Sequence, residues 1–347
     1  MSWLLFFVPV AIALEFLAPD RHLLIFASAS LAIVPLAAWM GRATEQLAER
    51  LGEGIGGLLN ATFGNAAELI IALAALRAGL HDVVEASIAG SIVGNMLLVL
   101  GGAMLAGGVN RQEQRYNPAG ARSQATMLTL AAIALVLPAA FRAADGATAA
   151  GLGRLSVALS VVLLVVYLLF LAFTLITHSS LFAGSHAPGQ ATSPASAVRA
   201  MLVLAGATAM IAWISEIMVG AIESTAHELG LSNIFVGVFL VAIMGNAAEH
   251  TTAISAAMKD RMDLSLSIAI GSSVQVALFV APVLVLASYV LGPTPMDLAF
   301  PAGLVLAILL SVLITGQVSG DGRSDWLKGV QLLTVYLSLA LAFFFLP

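Results

Sequence analysis

The sequence predicts an all-α polytopic membrane protein with about eleven transmembrane helices. Of its 347 residues, 60% are hydrophobic and 10% are charged, and its mean hydropathy is +1.02, whereas soluble domains carry about 25% charged residues. A hydrocarbon core of about 30 Å needs roughly 20 apolar residues per helix. Runs of that kind fill nearly the whole chain, so little remains for a soluble domain.

Charged, glycine, proline and asparagine clusters divide the chain into eleven apolar spans. The spans cover approximately residues 3–18, 22–41, 54–76, 83–106, 123–141, 155–176, 199–222, 231–258, 264–290, 297–316 and 327–346. The first lacks a basic n-region and a cleavage site, which favours a retained helix over a signal peptide. Pro282 predicts a kink in the ninth span.

The charge distribution predicts an orientation and excludes some functions. Loops after the even-numbered spans hold ten basic residues and the opposite loops hold four, which places the N-terminus in the cytoplasm and the C-terminus on the far side. A net charge of −5 without a basic run gives no support for nucleic-acid binding. The absence of cysteine excludes disulfides and thiolate chemistry.

The pentapeptide GNAAE at residues 64–68 recurs at residues 245–249. The same offset of 181 residues places Asp82 on Asp263 and Ser91 on Ser272. Five crossings separate the two copies, so their helices run in opposite directions. This pattern predicts two inverted-topology repeats, an architecture typical of secondary transporters with a substrate site near the bilayer midplane.

The resulting plan is one helix followed by two five-helix halves. We assign residues 1–20 to the first helix, 21–178 to the first half and 199–347 to the second half, with the repeated segments at 57–101 and 238–282. The segment 179–198, rich in Ser, Ala, Pro and Gly, is predicted to be a cytoplasmic linker.

Each repeat carries one glutamate near the middle of an apolar span, Glu68 and Glu249. A lone carboxylate in the bilayer costs several kcal/mol, and such residues usually face a cavity. Two adjacent carboxylates repel each other, so bound protons or a divalent cation would stabilise them. Calcium takes six to eight oxygen ligands. Neutral side-chain oxygens are available on the same and neighbouring spans from Asn65, Asn246, Ser91, Ser272, Asn95 and Gln275.

The Gly-Asn pairs that precede the glutamates are predicted to loosen the helix. Backbone carbonyls freed near Gly64 and Gly245 could then join the coordination shell. Asn65 and Asn246 could instead only satisfy backbone groups. For Gly90, Gly94 and Gly271, close helix packing is an equally good explanation.

Three further residues near the repeats have weaker assignments. Glu45 and Glu216, in the first span of each half, are candidates for the cation pathway. Glu45 lies near the predicted cytoplasmic end of its span, so it could equally be a loop residue exposed to water. His250 follows Glu249 directly and faces another side of the helix, which favours a supporting or packing role.

The segments GLLNATFGNAAELIIALAALRAGL, GSIVGNMLLVLG, GNAAEHTTAISAAMKDRMDLSLSIAIGSSVQVALFVAPVLV and MDLAF resemble the calcium/proton exchangers (CAX) of the Ca²⁺/cation antiporter superfamily. The resemblance runs over nearly the whole chain. It implies that Glu68 and Glu249 bind Ca²⁺ and protons, with Gly64, Asn246, Ser91, Ser272 and Gln275 around them. It also implies that Glu45 matches an acid near the cation pathway.

This chain departs from many members of that family. Residues 177–199 contain no Asp or Glu, where many members carry an acidic helix, and the N-terminus begins almost at the first span. Regulation by an acidic helix or by a long N-terminal tail is therefore in doubt, and a compact prokaryotic exchanger in the plasma membrane is expected.

The main hypothesis is a secondary antiporter, not an enzyme, that exports Ca²⁺ in exchange for H⁺. It needs no cofactor, because Ca²⁺ is the transported substrate and its partners are Ca²⁺, H⁺ and the lipid bilayer. Exchange of Na⁺ for Ca²⁺, or of another cation for protons, remains an alternative. An intramembrane enzyme is a weaker one, since no HExxH motif occurs. The sequence is also compatible with assembly into a homo-oligomer.

Overall fold

The chain folds into a bundle of α-helices, which confirms the predicted fold class. A computed structural model describes residues 2–178 and 194–345, and the predicted linker residues 179–193 lie outside this range. A 3₁₀ turn at Ser2–Phe6 leads into α1 (Phe7–Leu17), the helix that precedes the two halves. The helices of the first half are α2 (His22–Phe63), α3 (Ala66–Arg77), α4 (His81–Gly108), α5 (Pro118–Arg142) and α6 (Ala149–Thr177).

The second half contains a corresponding series of helices. They are α7 (Pro194–Gly220), α8 (Ile222–Leu229), α9 (Asn233–Gly245), α10 (Ala247–Met258), α11 (Met262–Leu291), α12 (Ala302–Val318) and α13 (Trp326–Phe344). Helix α7 begins inside the segment predicted to be a linker, because Pro194 occupies a first helical position, where a missing N–H costs nothing.

Seven helices of the described chain are long and apolar enough to span a membrane, or eight if the bent pair α8 and α9 forms one span. Two shorter apolar helices cover Trp3–Leu17 and Ala302–Val318. Helices α3 and α10 have 12 residues each, about 18 Å, so each could cross only together with the helix before it. The count of eleven spans therefore stays a prediction.

Both Gly-Asn pairs interrupt a helix, as their sequence predicts. The first separates α2 from α3 and the second separates α9 from α10. Asn65 has φ −103° and ψ 21°, and Asn246 has φ −97° and ψ 4°, outside the helical range. Each glutamate therefore lies in the first turn of a new helix.

A sharp change of direction precedes each of these interruptions. Helices α8 and α9 meet at 113°. In α2, a Cβ on Gly56 would overlap the carbonyl of Ala48, although a straight helix would hold residues eight positions apart about 12 Å from each other. The backbone of α2 therefore folds back between these two residues.

The helices form two groups around the centre. Helix α7 packs along α2, and α1 contacts both. The other group places α3 against α4, α4 against α9, and α10 and α5 against α11. Helix α4 contains a π-helical turn at Gly94–Val99, and α11 contains one at Val276–Val280, just before Pro282. Such turns are frequent at functional sites.

Two features outside the helices were not predicted from the sequence. Residues 297–301, predicted to open the tenth span, are not helical, and α12 starts only after Pro301. A two-stranded ribbon pairs β1 (Gln114–Arg115) with β2 (Arg323–Ser324). Beside it, a hydrogen bond from Arg115 lowers the pKa of the Glu113 carboxyl.

The ribbon belongs to a polar network that joins three loops. Gln114 donates to the Ala257 carbonyl at 2.9 Å and to Asp260 at 2.8 Å, and the Asn117 backbone N–H donates to Asp263 at 2.7 Å. These bonds fix the loop after α4 to the end of α10 and to the start of α11.

Helices α4 and α9 cross at glycines. A Cβ on Gly90 would overlap the Val238 backbone, and a Cβ on Gly237 would lie 2.6 Å from the Ala86 Cβ. Gly94, one turn further along α4, has nothing within 4 Å of such a Cβ, and Gly271 would meet only Gln124 at 3.8 Å. Of the three glycines for which packing was considered, Gly90 is the one that close packing requires.

We expect Gly90→Ala to destabilise the protein by about 1–3 kcal/mol, the usual cost of overpacking. The matched control is Gly94→Ala on the same helix, which should have little effect. Thermal unfolding in detergent measures both. Equal melting temperatures for the two variants would contradict a glycine-dependent crossing of α4 and α9.

Candidate functional site

Four helices bring the predicted polar residues together at the centre of the bundle. Helices α3 and α10 contribute Glu68 and Glu249 from their first turns, both half-buried. Helices α4 and α11 contribute Ser91, Asn95, Ser272 and Gln275. The two asparagines at the helix breaks are buried, with 3% of Asn65 and 2% of Asn246 exposed.

The hydrogen bonds at the centre cross between the two halves in a symmetric pair. The Asn246 amide nitrogen donates to the Ser91 hydroxyl at 3.0 Å, and Asn65 pairs with the Ser272 hydroxyl at 2.8 Å. The same offset of 181 residues relates both asparagines and both serines. Each half therefore places its helix-break asparagine on the serine of the other half.

The asparagine at the first break also lies between the two carboxylates. One end of the Asn65 amide is 2.6 Å from Gln275 Oε1. Its other end is 2.9 Å from Glu68 Oε2 and 3.3 Å from Glu249 Oε1. An amide nitrogen that faces the carboxylates can donate to both, so Asn65 holds the two acids near one point.

Each carboxylate has a serine partner on the helix that follows. The Ser91 hydroxyl donates to Glu68 Oε1 at 2.6 Å, a length typical of a charge-assisted bond. Ser272 lies within hydrogen-bonding reach of Glu249. Asn95 has no polar counterpart in the other repeat, because the related position in α11 is Val276. The Asn95 side-chain nitrogen donates to the Ser272 hydroxyl at 3.1 Å.

Three buried oxygens of this cluster have no hydrogen-bond partner among the described residues. They are Glu249 Oε2, Asn95 Oδ1 and Asn246 Oδ1. Leaving such an acceptor unpaired costs about 1–3 kcal/mol, so each such group calls for an explanation such as an ion or water. Carboxylate and amide oxygens are the hard ligands that Ca²⁺ prefers, so the donor set fits this cation.

A small cavity of about 20 Å³ lies beside Glu68, enough for roughly one water molecule or one unhydrated ion. Its lining includes Ile71, Ser87, Ser91, Gly245 and Val280. Ser87 was missed from the sequence, although it lies four residues before Ser91 and so shares its helix face. A Cβ on Gly245 would lie 3.6 Å from the Glu68 Cγ, which places this glycine against the carboxylate side chain.

The remaining candidates lie away from this cluster. Gly64 is exposed at the helix break, and His250 is half-buried on α10. Glu45 is exposed on α2. Glu216 forms an exposed ion pair with Arg77, 2.8 Å long, which joins α7 to the end of α3. The structure therefore gives Glu216 a charged partner that the sequence did not indicate.

Comparison with known proteins places the chain among ion exchangers. Residues 21–176 and 199–345 match the sodium/calcium exchanger protein family. A Ca²⁺/H⁺ antiporter of Aphanothece halophytica is 46% identical over 99% of this chain and 96% of its own length. The Ca²⁺/H⁺ antiporter ChaA of Bacillus subtilis is 43% identical over 93% and 92%, respectively. The structure of native YfkE superposes with a TM-score of 0.85 at 40% identity, covering 98% of this chain and 97% of that one.

We expect Ser91→Ala to weaken Ca²⁺ binding by roughly tenfold or more, since a hydrogen bond to a charged group contributes about 1.5–3 kcal/mol. Calorimetric titration of the purified protein with Ca²⁺ at fixed pH measures the change. The matched control is Ser311→Ala, because the buried Ser311 hydroxyl donates to Ala307 O in its own helix and does not line the cavity beside Glu68. Equal affinities for the two variants would remove Ser91 from the site.

Proposed function

The chain belongs to the sodium/calcium exchanger protein family, and on that premise we propose that it is a secondary active antiporter which exchanges Ca²⁺ for H⁺. The protein is an integral membrane protein and not an enzyme. Relatives that are 43% and 46% identical carry the name Ca²⁺/H⁺ antiporter, which supports this exchange. Calcium is then the transported substrate rather than a cofactor.

The observation that carries the proposal is the pair of glutamates that share Asn65. Glu68 Oε2 and Glu249 Oε1 lie 2.9 and 3.3 Å from the same end of that amide. Two ionised carboxylates this close repel each other strongly where water is scarce. A divalent cation removes the repulsion by binding between them, and protons remove it by neutralising them.

Competition between these two occupants explains the coupling. Ca²⁺ needs ionised carboxylates, whereas a protonated carboxyl loses both its charge and an acceptor site. A site that holds Ca²⁺ therefore excludes the protons, and a protonated site releases Ca²⁺. Where protons are abundant the site releases Ca²⁺, and where they are scarce it binds Ca²⁺ again.

Alternating access follows from the two groups of helices. Helices α1, α2 and α7 form one group, and neither α1 nor α7 supplies a site residue. We infer that this group slides over a core that contains α3, α4, α10 and α11. Because the two repeats are inverted, the contact between the moving helices and the core is similar in its inward-facing and outward-facing halves. The same movement can therefore open the site to either side, as in other secondary transporters.

The direction of transport rests on the predicted orientation and on the bacterial relatives. The excess of basic residues predicts a cytoplasmic N-terminus, and relatives from bacteria such as Bacillus subtilis favour the plasma membrane. In that membrane the outside is usually richer in protons. The antiporter would therefore export cytoplasmic Ca²⁺.

Inside-out vesicles test the function directly. With an acidic lumen, the wild-type protein should take up Ca²⁺, and Glu68→Gln or Glu249→Gln should abolish the uptake, because an amide can neither be ionised nor exchange a proton. Glu15→Gln is the matched control, since Glu15 is exposed on α1 and should leave uptake unchanged.

Radioactive Ca²⁺ in the vesicles gives the readout. Uptake that persists in either site variant would remove that glutamate from the site. Uptake that survives collapse of the pH gradient and depends on a Na⁺ gradient would replace proton coupling with sodium coupling.

The ion pair between Arg77 and Glu216 allows a separate test of the moving helices. Exposed pairs contribute up to about 1 kcal/mol, so Glu216→Gln should change the transport rate by no more than about fivefold. It should leave the affinity for Ca²⁺ intact. The charge swap Arg77→Glu with Glu216→Arg should restore the wild-type rate in the vesicle assay. A large loss of Ca²⁺ affinity that the swap fails to restore would instead make Glu216 a cation ligand in the pathway.

A further inference from the structure

A large groove lies where α6 begins and α11 ends, and it shares no lining residue with the cavity beside Glu68. Its volume is about 690 Å³, within the range of small-molecule sites. The first turns of α6 form one wall, Tyr289 of α11 forms another, and the non-helical residues Pro295, Met296 and Asp297 close it.

The walls of the groove are fixed by hydrogen bonds. The Ser156 hydroxyl of α6 accepts from the Leu298 backbone N–H at 3.0 Å, and Ser288 of α11 accepts from the Met296 N–H at 2.8 Å. Asp297 accepts from the Ala299 N–H at 2.7 Å. Because these buried bonds hold the segment, the groove is already formed in the free protein.

Helix α6 faces lipid along most of its length. Only 17% of the residues in its apolar stretch are buried. Val161, Leu168 and Leu169 are 49–65% exposed. Arg154 is the sole charged residue among 149–177, and its side chain is exposed and lines the groove. An arginine on a lipid-facing span is costly unless it reaches the head groups.

The position of Arg154 along α6 corresponds to the head-group boundary. The helix has 29 residues, or about 44 Å, which exceeds a hydrocarbon core of about 30 Å. About 7 Å therefore extend beyond the core at each end if the helix is centred. Arg154 lies five residues after Ala149, about 8 Å along the helix. Tyr289 is 51% exposed and lines the same groove. Tyrosine is enriched at the boundary between head groups and hydrocarbon, which agrees with this depth for the groove.

Opposite charges face this groove without forming an ion pair within the described chain. Arg154 supplies a guanidinium and Asp297 a carboxylate, and neither lies within 4.0 Å of an opposite charge among the described residues. A ligand that carries a negative and a positive group would satisfy both. A purely anionic ligand would be repelled by Asp297.

We propose that the groove binds the head group of a zwitterionic phospholipid with a primary ammonium, such as phosphatidylethanolamine. The phosphate pairs with Arg154, and the ammonium donates hydrogen bonds to Asp297. The acyl chains follow the apolar surface of α6. Phosphatidylcholine has the same net charge but no N–H donor, so it binds less well.

Native mass spectrometry of the full-length protein tests the proposal without a transport assay. The protein is exchanged into detergent that contains equal amounts of phosphatidylethanolamine, phosphatidylcholine and phosphatidylglycerol, and the retained lipid is counted. We expect the wild-type protein to retain the ethanolamine lipid at least fivefold over each competitor. Arg154→Gln should lose that retention, and Asp297→Asn should lose only the preference, because Asn keeps the acceptor for the Ala299 N–H.

The control is Arg21→Gln, an exposed arginine on the same predicted side of the membrane that does not line the groove. It should retain lipid as the wild-type protein does. Unchanged retention in Arg154→Gln, equal loss in Arg21→Gln, or equal retention of all three lipids by the wild-type protein would each overturn the proposal.

Discussion

Two carboxylates that lie close together inside a membrane protein are the constraint on which the rest of this structure depends. Neither Glu68 nor Glu249 has a cationic side chain as a hydrogen-bond or ion-pair partner in the described chain. Their neighbours are amides and hydroxyls, which stabilise charge without cancelling it. A basic side chain beside the glutamates would neutralise their charge permanently, and a cation could then no longer exchange with protons. The neutral surroundings leave neutralisation to a proton or to a transported cation.

The helix breaks are what make such surroundings possible. An asparagine within a continuous helix would point its amide along the helix surface, whereas Asn65 and Asn246 lie at non-helical positions and reach across to Ser272 and Ser91. A helix N-terminus also stabilises negative charge nearby, and each glutamate lies in a first turn. Breaking the helix therefore supplies both an amide donor and a favourable local field.

Much of this arrangement could be predicted from the sequence, because the repeated GNAAE carries both the glutamates and the helix breaks. The same register pairs Asn65 with Asn246 and Ser91 with Ser272. Asn95 and Gln275 have no polar counterpart in the other repeat and were expected only as oxygen donors on neighbouring spans. The fold-back between Ala48 and Gly56 could not be predicted, since nothing in an apolar pattern distinguishes it from a straight helix. The pair between Arg77 and Glu216 joins residues 139 positions apart, and such contacts depend on tertiary packing. Residues 297–301 had an apolar pattern typical of a span, but Pro301 cannot donate the backbone hydrogen bond of a continued helix.

The crossed hydrogen bonds also decide which part of the protein can move. Asn65 with Ser272 and Asn246 with Ser91 join α3 to α11 and α10 to α4, so sliding these helices past each other would break the site. The bond of Gln114 with Asp260 ties the loop after α4 to the loop between α10 and α11. The pairing of Gln114 with Ser324 adds the loop before α13. Helices α1 and α7 supply none of these bonds, and an exposed ion pair at Glu216 is weak enough to open. The proposed movement of α1, α2 and α7 over a fixed core is therefore the change of access that would leave these hydrogen bonds intact.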